Sequence, residues 1–194
     1  KALIIEGLYM EPKFNIFVLM AATVVLCVVG LVSAVDNDFA AVANIFAGFL
    51  YVSVLYVSLV KKVDFKKFAI VCIGLGFIRF FLIYTSAIFL WLPQFVLKHI
   101  FLLVPSVSGA AITLFFMYKF WGLIFNKVEI LLILLFIGIF SLIYPSLVEL
   151  TEANNQYKGL FLIGPCVYWW FFFSLALSIY QVVANKSTTL RAAV

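Results

Sequence analysis

Charged side chains are scarce in this chain, and their scarcity excludes an ordinary soluble domain. Only 11% of the 194 residues are charged, whereas 67% are hydrophobic. A soluble domain of this length could not bury so many apolar side chains. The composition therefore predicts an integral membrane protein that crosses the bilayer several times, with the lipid bilayer as its first partner.

Acidic side chains are rarer than basic ones. The chain has 8 Asp and Glu residues against 13 Lys and Arg residues, which gives a formal net charge of +5. In a membrane protein such an excess marks cytoplasmic loops rather than a nucleic-acid footprint. We therefore expect no nucleic-acid partner.

The chain also has few of the residues on which metal sites and most enzymes depend. Histidine occurs once, as His99, and the cysteines Cys27, Cys72 and Cys166 lie far apart in apolar runs without a CxxC spacing. Because a zinc site needs three or four clustered ligands, we expect no metal and no cofactor. HExxH, GxSxG and phosphate-loop motifs are absent, and no aspartate lies within an apolar run. An intramembrane enzyme is therefore only the third interpretation.

Six long apolar runs are present, at residues 16–35, 39–60, 68–91, 95–120, 128–150 and 159–183. A membrane-spanning helix needs about 20 apolar residues, whereas barrel strands are about half as long. The predicted fold class is all-α, a polytopic bundle of six transmembrane helices. Residues 1–15 form an amino-terminal segment, 16–183 the transmembrane domain and 184–194 a tail. Two questions stay open: whether residues 1–9 are native, and whether a cytoplasmic domain follows residue 194.

The loop charges predict the orientation of the bundle. Loops 36–38 and 151–158 are acidic and loop 92–94 is almost neutral, whereas loop 61–67, the fourth loop and the tail are basic. Because basic loops stay in the cytoplasm, both termini are predicted to be cytoplasmic, in the inner or plasma membrane of a cell. The same orientation puts four tryptophans at the interfaces as aromatic belts: Trp91, Trp169 and Trp170 outside, and Trp121 inside.

One charge, Arg79, lies in the middle of the third apolar run. The insertion of a guanidinium at that depth is unfavourable by about 2.5–3.5 kcal/mol of free energy, so we expect Arg79 to face the bundle interior or a water-filled cavity. No acidic residue lies at its depth, which leaves carbonyl groups, tyrosine hydroxyls, water or an anionic ligand as partners.

Arg79 also belongs to a line of small or polar residues, and such lines let helices pack closely. The lines on the first, third and sixth helices are Thr23, Cys27 and Gly30; Cys72, Gly76, Arg79 and Ser86; and Ser174, Ser178 and Gln181.

Three prolines, Pro105, Pro145 and Pro165, lie in the predicted outer halves of the last three helices. Each removes a backbone hydrogen bond and tends to kink its helix. Hydroxyl groups surround them, so we predict a cavity that opens outward and has Arg79 near its floor. The predicted ligand-binding residues are Arg79, Tyr84, Ser86, Ser106, Ser108, Tyr144 and Tyr168.

The leading functional prediction is the binding or translocation of a small anionic or amphipathic ligand. An arginine fork suits a carboxylate or a phosphate. The alternative is a non-transport membrane module, either a sensory input or an assembly subunit of a larger complex. Its partner would then be another membrane subunit or a second copy of the chain. A structural role for Arg79, bonding kinked backbone, also stays open.

Overall fold

A computed structural model describes the backbone of residues 13–33, 37–61, 63–89, 94–152 and 158–192. Within these ranges it describes the side chains of 13–33, 46–61, 63–78, 103–143 and 166–183. The all-α prediction is confirmed, because the described elements are six helices. They are α1 (Ile16–Ser33), α2 (Asn37–Ser58), α3 (Phe65–Phe89), α4 (Gln94–Trp121), α5 (Lys127–Glu152) and α6 (Lys158–Ala192).

The six helices match the six apolar runs, and the largest difference is at the end of α6. This helix has 35 residues and continues to Ala192, past the predicted end at residue 183. The segment after Val183 is polar but has no glycine or proline to stop a helix, so it extends the last run. Helices α4, α5 and α6 also continue through Pro105, Pro145 and Pro165.

Three stretches of the described helices are long and apolar enough to cross a membrane. They are Ile16–Ser33, Leu103–Trp121 and Cys166–Val183. A shorter apolar stretch, Phe46–Ser58, lies in α2. Length and composition therefore support a membrane location, which is the coarser part of the sequence prediction.

The helices form a closed ring. Each helix packs on the next one in the chain, and α6 returns to pack on α1. Helix α6 also packs on α2 and, over a small area, on α4. Within the described residues, α3 packs only on α2 and α4. The core therefore lies around α6, and α3 lies at the edge of the bundle.

The helix ends near loop 61–67 are fixed by capping. Asn15 and Asp64 accept hydrogen bonds from backbone amides in the first turns of α1 and α3. Glu129 accepts a hydrogen bond from the amide of Asn126 while the Asn126 side chain accepts one from Val128, which is a capping box for α5. Gly122, with a φ of 69°, ends α4 in the left-handed conformation that glycine favours.

Candidate functional site

Two glycines position α3 between its neighbours. Gly76 lies under the ring of Phe49 on α2, and Gly74 lies under the ring of Phe116 on α4. A Cβ atom added at Gly76 would be 2.4 Å from the Phe49 ring, and one added at Gly74 would be 2.3 Å from the Phe116 ring. Only glycine leaves room for these rings. Because the two glycines are about 200° apart around the helix, they face opposite neighbours.

The two remaining sides of α3 differ in burial. Ile70, Ile73 and Phe77 are exposed by 46%, 54% and 70%. On the opposite side, Val71, Cys72 and Leu75 are buried. We call this buried side, made by Val71, Cys72 and Leu75, the interior face of α3.

The helix register extends the interior face to the position of the arginine. Helix α3 is continuous to Phe89. Position 79 follows Cys72 by seven residues, so its Cα returns to within about 20° of the same direction. Position 86 follows position 79 by seven residues and so has nearly the same direction again. Position 84, in contrast, follows Phe77 by seven residues and so returns to nearly the direction of Phe77 around the helix. The side chains of Arg79, Tyr84, Ser86 and Tyr144 lie outside the described residues.

The interior face of α3 and helix α6 do not pack directly on each other. In the described part of the bundle, no Cα atom of α3 comes within 8 Å of one in α6, and the same is true of α2 and α4. We call the region between α2, α3, α4 and α6 the central junction. Gly74 lies beside Phe116 and the two helices are antiparallel, so position 79 is level with about residue 111 of α4. Gly109 is within one turn of that level.

Trp169 is the side chain that joins the helices around the central junction. Its indole Nε1–H donates to the carbonyl of Ser106 on α4 over 3.0 Å. Its ring meets Tyr51 of α2 edge-on, with centroids 5.4 Å apart, and stacks on Phe173 at 4.8 Å. A Cβ atom at Gly109 would lie 3.9 Å from this indole, an ordinary contact distance, so Trp169 packs on α4 beside Gly109. Trp169 therefore fills the α6 side of the junction with a large aromatic surface.

Beside the junction, a network of buried hydroxyls joins α1, α2 and α6. The Ser174 hydroxyl lies 2.8 Å from the Thr23 hydroxyl and 2.7 Å from the Tyr51 hydroxyl. Ser178 donates to the Ser174 carbonyl over 2.8 Å. Thr23, Ser174 and Ser178 belong to small-residue lines in the sequence, and they are buried at helix contacts. They act as packing residues with satisfied hydrogen bonds.

Three of the predicted ligand-binding residues have described side chains: Ser106, Ser108 and Tyr168. Ser106 lies at the α4–α6 contact, where its carbonyl accepts the Trp169 hydrogen bond. The Ser108 hydroxyl donates back to the Val104 carbonyl of its own helix over 2.6 Å. The Tyr168 hydroxyl donates to the Phe140 carbonyl of α5. The structure therefore brings Ser106 to the junction, whereas the other two hydroxyls bond to backbone carbonyls of α4 and α5.

The expectation that Trp121 and Trp170 form interfacial belts is wrong. Trp121 is 2% exposed and Trp170 is 1% exposed, so both lie inside the bundle. Trp170 of α6 stacks on Tyr51 of α2, and Trp121 at the end of α4 meets Tyr56 of α2 edge-on. The indole N–H groups of both side chains have no hydrogen-bond partner within the described structure.

Two residues of the junction, Tyr51 and Trp169, were not predicted as site residues. A signal for Tyr51 is present in the sequence, because it continues the helical line of Asn44 and Gly48. Trp169 carries no comparable signal. Its place depends on the contact between α6 and α4, which an isolated apolar run does not reveal.

No family model, curated protein or solved structure matches this chain. Within the described residues, no three His, Cys, Asp or Glu side chains are grouped so that they could hold a metal ion. The fold and the junction thus define a helical bundle in which at least three helices are suited to a membrane.

Proposed function

We propose that the chain crosses the membrane six times and binds a small amphipathic anion in the central junction, with Arg79 as the electrostatic anchor. The observation that carries this proposal is the register of α3. An arginine in a membrane helix is tolerated when it faces the bundle interior or water, and the register puts position 79 on the side opposite exposed Phe77. Serine at position 86 shares that side, two turns farther along.

The chemistry of the junction favours an amphipathic ligand over an inorganic anion. On its α6 and α2 side the described side chains are aromatic: partly exposed Trp169 packs on Tyr51 and Phe173, which are themselves buried. Aromatic rings offer apolar area for a hydrocarbon or flat body, whereas a guanidinium offers two parallel donors to a carboxylate or phosphate. A ligand with one anionic group and one apolar part satisfies both.

The proposal is tested with probes that differ only in charge. The chain is placed in nanodiscs of neutral phosphatidylcholine, and the binding of decyl phosphate, decanoate and decanol is measured by calorimetry. We expect the two anions to bind more tightly than decanol. Arg79→Ala should weaken anion binding by about 10–100-fold, the loss expected for a charge-assisted pair of hydrogen bonds, and leave decanol binding unchanged. Arg79→Lys should fall between the two.

A matched control distinguishes the junction from the charged surface. Lys158→Gln also removes one positive charge, but position 158 begins α6, at the end of the bundle opposite to loop 61–67. This variant should bind decyl phosphate as the unaltered protein does. Equal affinity of the unaltered protein for decanol and decyl phosphate, or undiminished anion binding by a folded Arg79→Ala variant, would contradict the proposal.

A non-transport module is the second candidate, and one observation favours it. The hydroxyls of Ser108 and Tyr168 bond to protein carbonyls, so this part of the bundle is held by internal contacts. Arg79 would then stabilise the bundle or bind a partner subunit. The calorimetric experiment distinguishes the candidates, because a module of this kind predicts a less stable Arg79→Ala protein without any anion preference in the parent.

A further inference from the structure

Six exposed lysines lie at one end of the bundle, where α1, α3 and α5 begin and α2 and α4 end. We call this set of described residues the basic collar: Lys13, Lys61, Lys66, Lys67, Lys119 and Lys127. The described carboxylates at this end are those of Asp64 and Glu129, and both accept hydrogen bonds from backbone amides at helix starts. The positive charge of the collar therefore exceeds the negative charge around it.

Backbone contacts hold part of the collar in place. The amide of Asn15 donates to the Ser58 carbonyl over 2.7 Å, and the amide of Val60 donates to the Lys13 carbonyl over 3.0 Å. The Tyr56 hydroxyl donates to the Val63 carbonyl over 3.2 Å. These bonds fix the segments that carry Lys13 and Lys61 against each other, so less conformational freedom is lost when a ligand binds there.

Exposed apolar side chains border the lysines at the same level. Phe17 is 81% exposed one turn after Lys13, Phe65 is 70% exposed beside Lys66, and Val128 is 60% exposed beside Lys127. A soluble anion would leave these apolar groups in water. The headgroup boundary of a bilayer accommodates both kinds of side chain, since apolar groups enter the acyl region while lysine amines reach the phosphates.

We propose that the basic collar binds anionic phospholipid headgroups and gives the protein a preference for such lipids in the leaflet around this end. The inference rests on the proposed insertion into a membrane but not on the proposed ligand of Arg79. Three lysines, Lys61, Lys66 and Lys67, lie within seven positions and dominate the collar. Each lysine close to an anionic surface strengthens binding by about fivefold, an effect that salt screens.

Lipid association measured by electron paramagnetic resonance tests this proposal. The full chain is reconstituted in phosphatidylcholine vesicles with trace spin-labelled phosphatidylglycerol or phosphatidylcholine, and the motionally restricted fractions are compared. The unaltered protein should favour phosphatidylglycerol by about fivefold or more at low salt. The triple variant Lys61→Gln, Lys66→Gln, Lys67→Gln should bring this ratio close to one. The matched triple Arg variant, which keeps the charge, should retain the preference.

Alkaline extraction of the same vesicles separates the two proposals. A protein that is extracted contradicts insertion itself and with it the collar. A protein that stays inserted but shows no phosphatidylglycerol preference, or a Gln variant that keeps the full preference, overturns the collar alone. Binding of sodium pyrophosphate to the unaltered protein in detergent is measured as well. If pyrophosphate binds and the triple Gln variant loses that binding while the unaltered protein shows no phosphatidylglycerol preference, the collar binds free phosphates and the lipid assignment is overturned.

Discussion

The two sides of the bundle are held together by different interactions. On the side of α1, α2 and α6, the hydroxyls of Thr23, Tyr51 and Ser174 form a buried network with distances of 2.7 and 2.8 Å. On the side of α3, the ring of Phe116 packs against Gly74 and the ring of Phe49 packs against Gly76. Hydrogen bonds are directional and fix one geometry, whereas ring contacts depend mainly on shape. The helix that carries Arg79 is therefore attached by the less directional contacts.

The largest effect should come from filling the glycine contacts of α3. Gly76→Val adds a branched side chain where a single Cβ would already lie 2.4 Å from the Phe49 ring. Gly74→Val does the same against Phe116. Overpacking of this kind costs about 1–3 kcal/mol, and the double variant should lose nearly the sum. The free energy of unfolding, measured by SDS titration from detergent micelles, checks this expectation.

Two other glycines provide matched controls for overpacking. A Cβ atom at Gly138 would lie 3.5 Å from its nearest neighbour, and one at Gly109 would lie 3.9 Å away, which are ordinary contact distances. Gly138→Ala and Gly109→Ala should therefore change stability by less than about 0.5 kcal/mol. If these variants lose as much stability as Gly76→Val, the ring-on-glycine account of α3 is wrong.

An intermediate loss of stability should come from removing the hydroxyl at the centre of the buried network. Ser174→Ala removes the group that both Thr23 and Tyr51 contact and leaves two buried hydroxyls with fewer partners. Hydrogen bonds between membrane helices contribute about 0.6 kcal/mol on average and at most about 1.7, so we expect a loss of about 1–2 kcal/mol. The same SDS titration measures it.

Ser178→Ala is the control for the network. The Ser178 hydroxyl donates to a carbonyl of its own helix, so its removal breaks no contact between helices. Ser178→Ala should lower the free energy of unfolding by less than about 0.5 kcal/mol. Equal losses from Ser174→Ala and Ser178→Ala would remove the distinction between the two sides of the bundle.

The number of helices could be predicted from the sequence, but their lateral arrangement could not. Run length is informative because a membrane helix needs about 20 apolar residues. Which face of each helix is buried is harder to predict, because lipid and the protein core both favour apolar side chains. Val71 is fully buried and Ile73 is 54% exposed, although both are aliphatic and only two positions apart. Periodicity of hydrophobicity therefore carries little signal in such helices.

At the candidate site, the sequence carries a signal where a residue departs from the apolar background. Cys72 is buried and Gly76 lies against Phe49, so the line from Cys72 through Gly76 marked sides of α3 that pack on protein. The tryptophans were misassigned because indole suits an interface and a core equally well. Their burial depends on contacts of α4 and α6 with tyrosines of α2, which an isolated apolar run does not reveal.

The smallest effect, and the sharpest comparison, concerns the adjacent residues Trp169 and Trp170. Replacing either tryptophan by phenylalanine removes a similar side-chain volume. Only Trp169→Phe breaks a hydrogen bond, the one that the indole donates to the Ser106 carbonyl. Trp170→Phe removes a buried N–H without a partner in the described structure, and so relieves an unfavourable group. Trp169→Phe should be less stable than Trp170→Phe by about 1 kcal/mol in the SDS titration. The reverse order would mean that the Trp170 indole has an acceptor and that Trp169 does not hold α4 against α6.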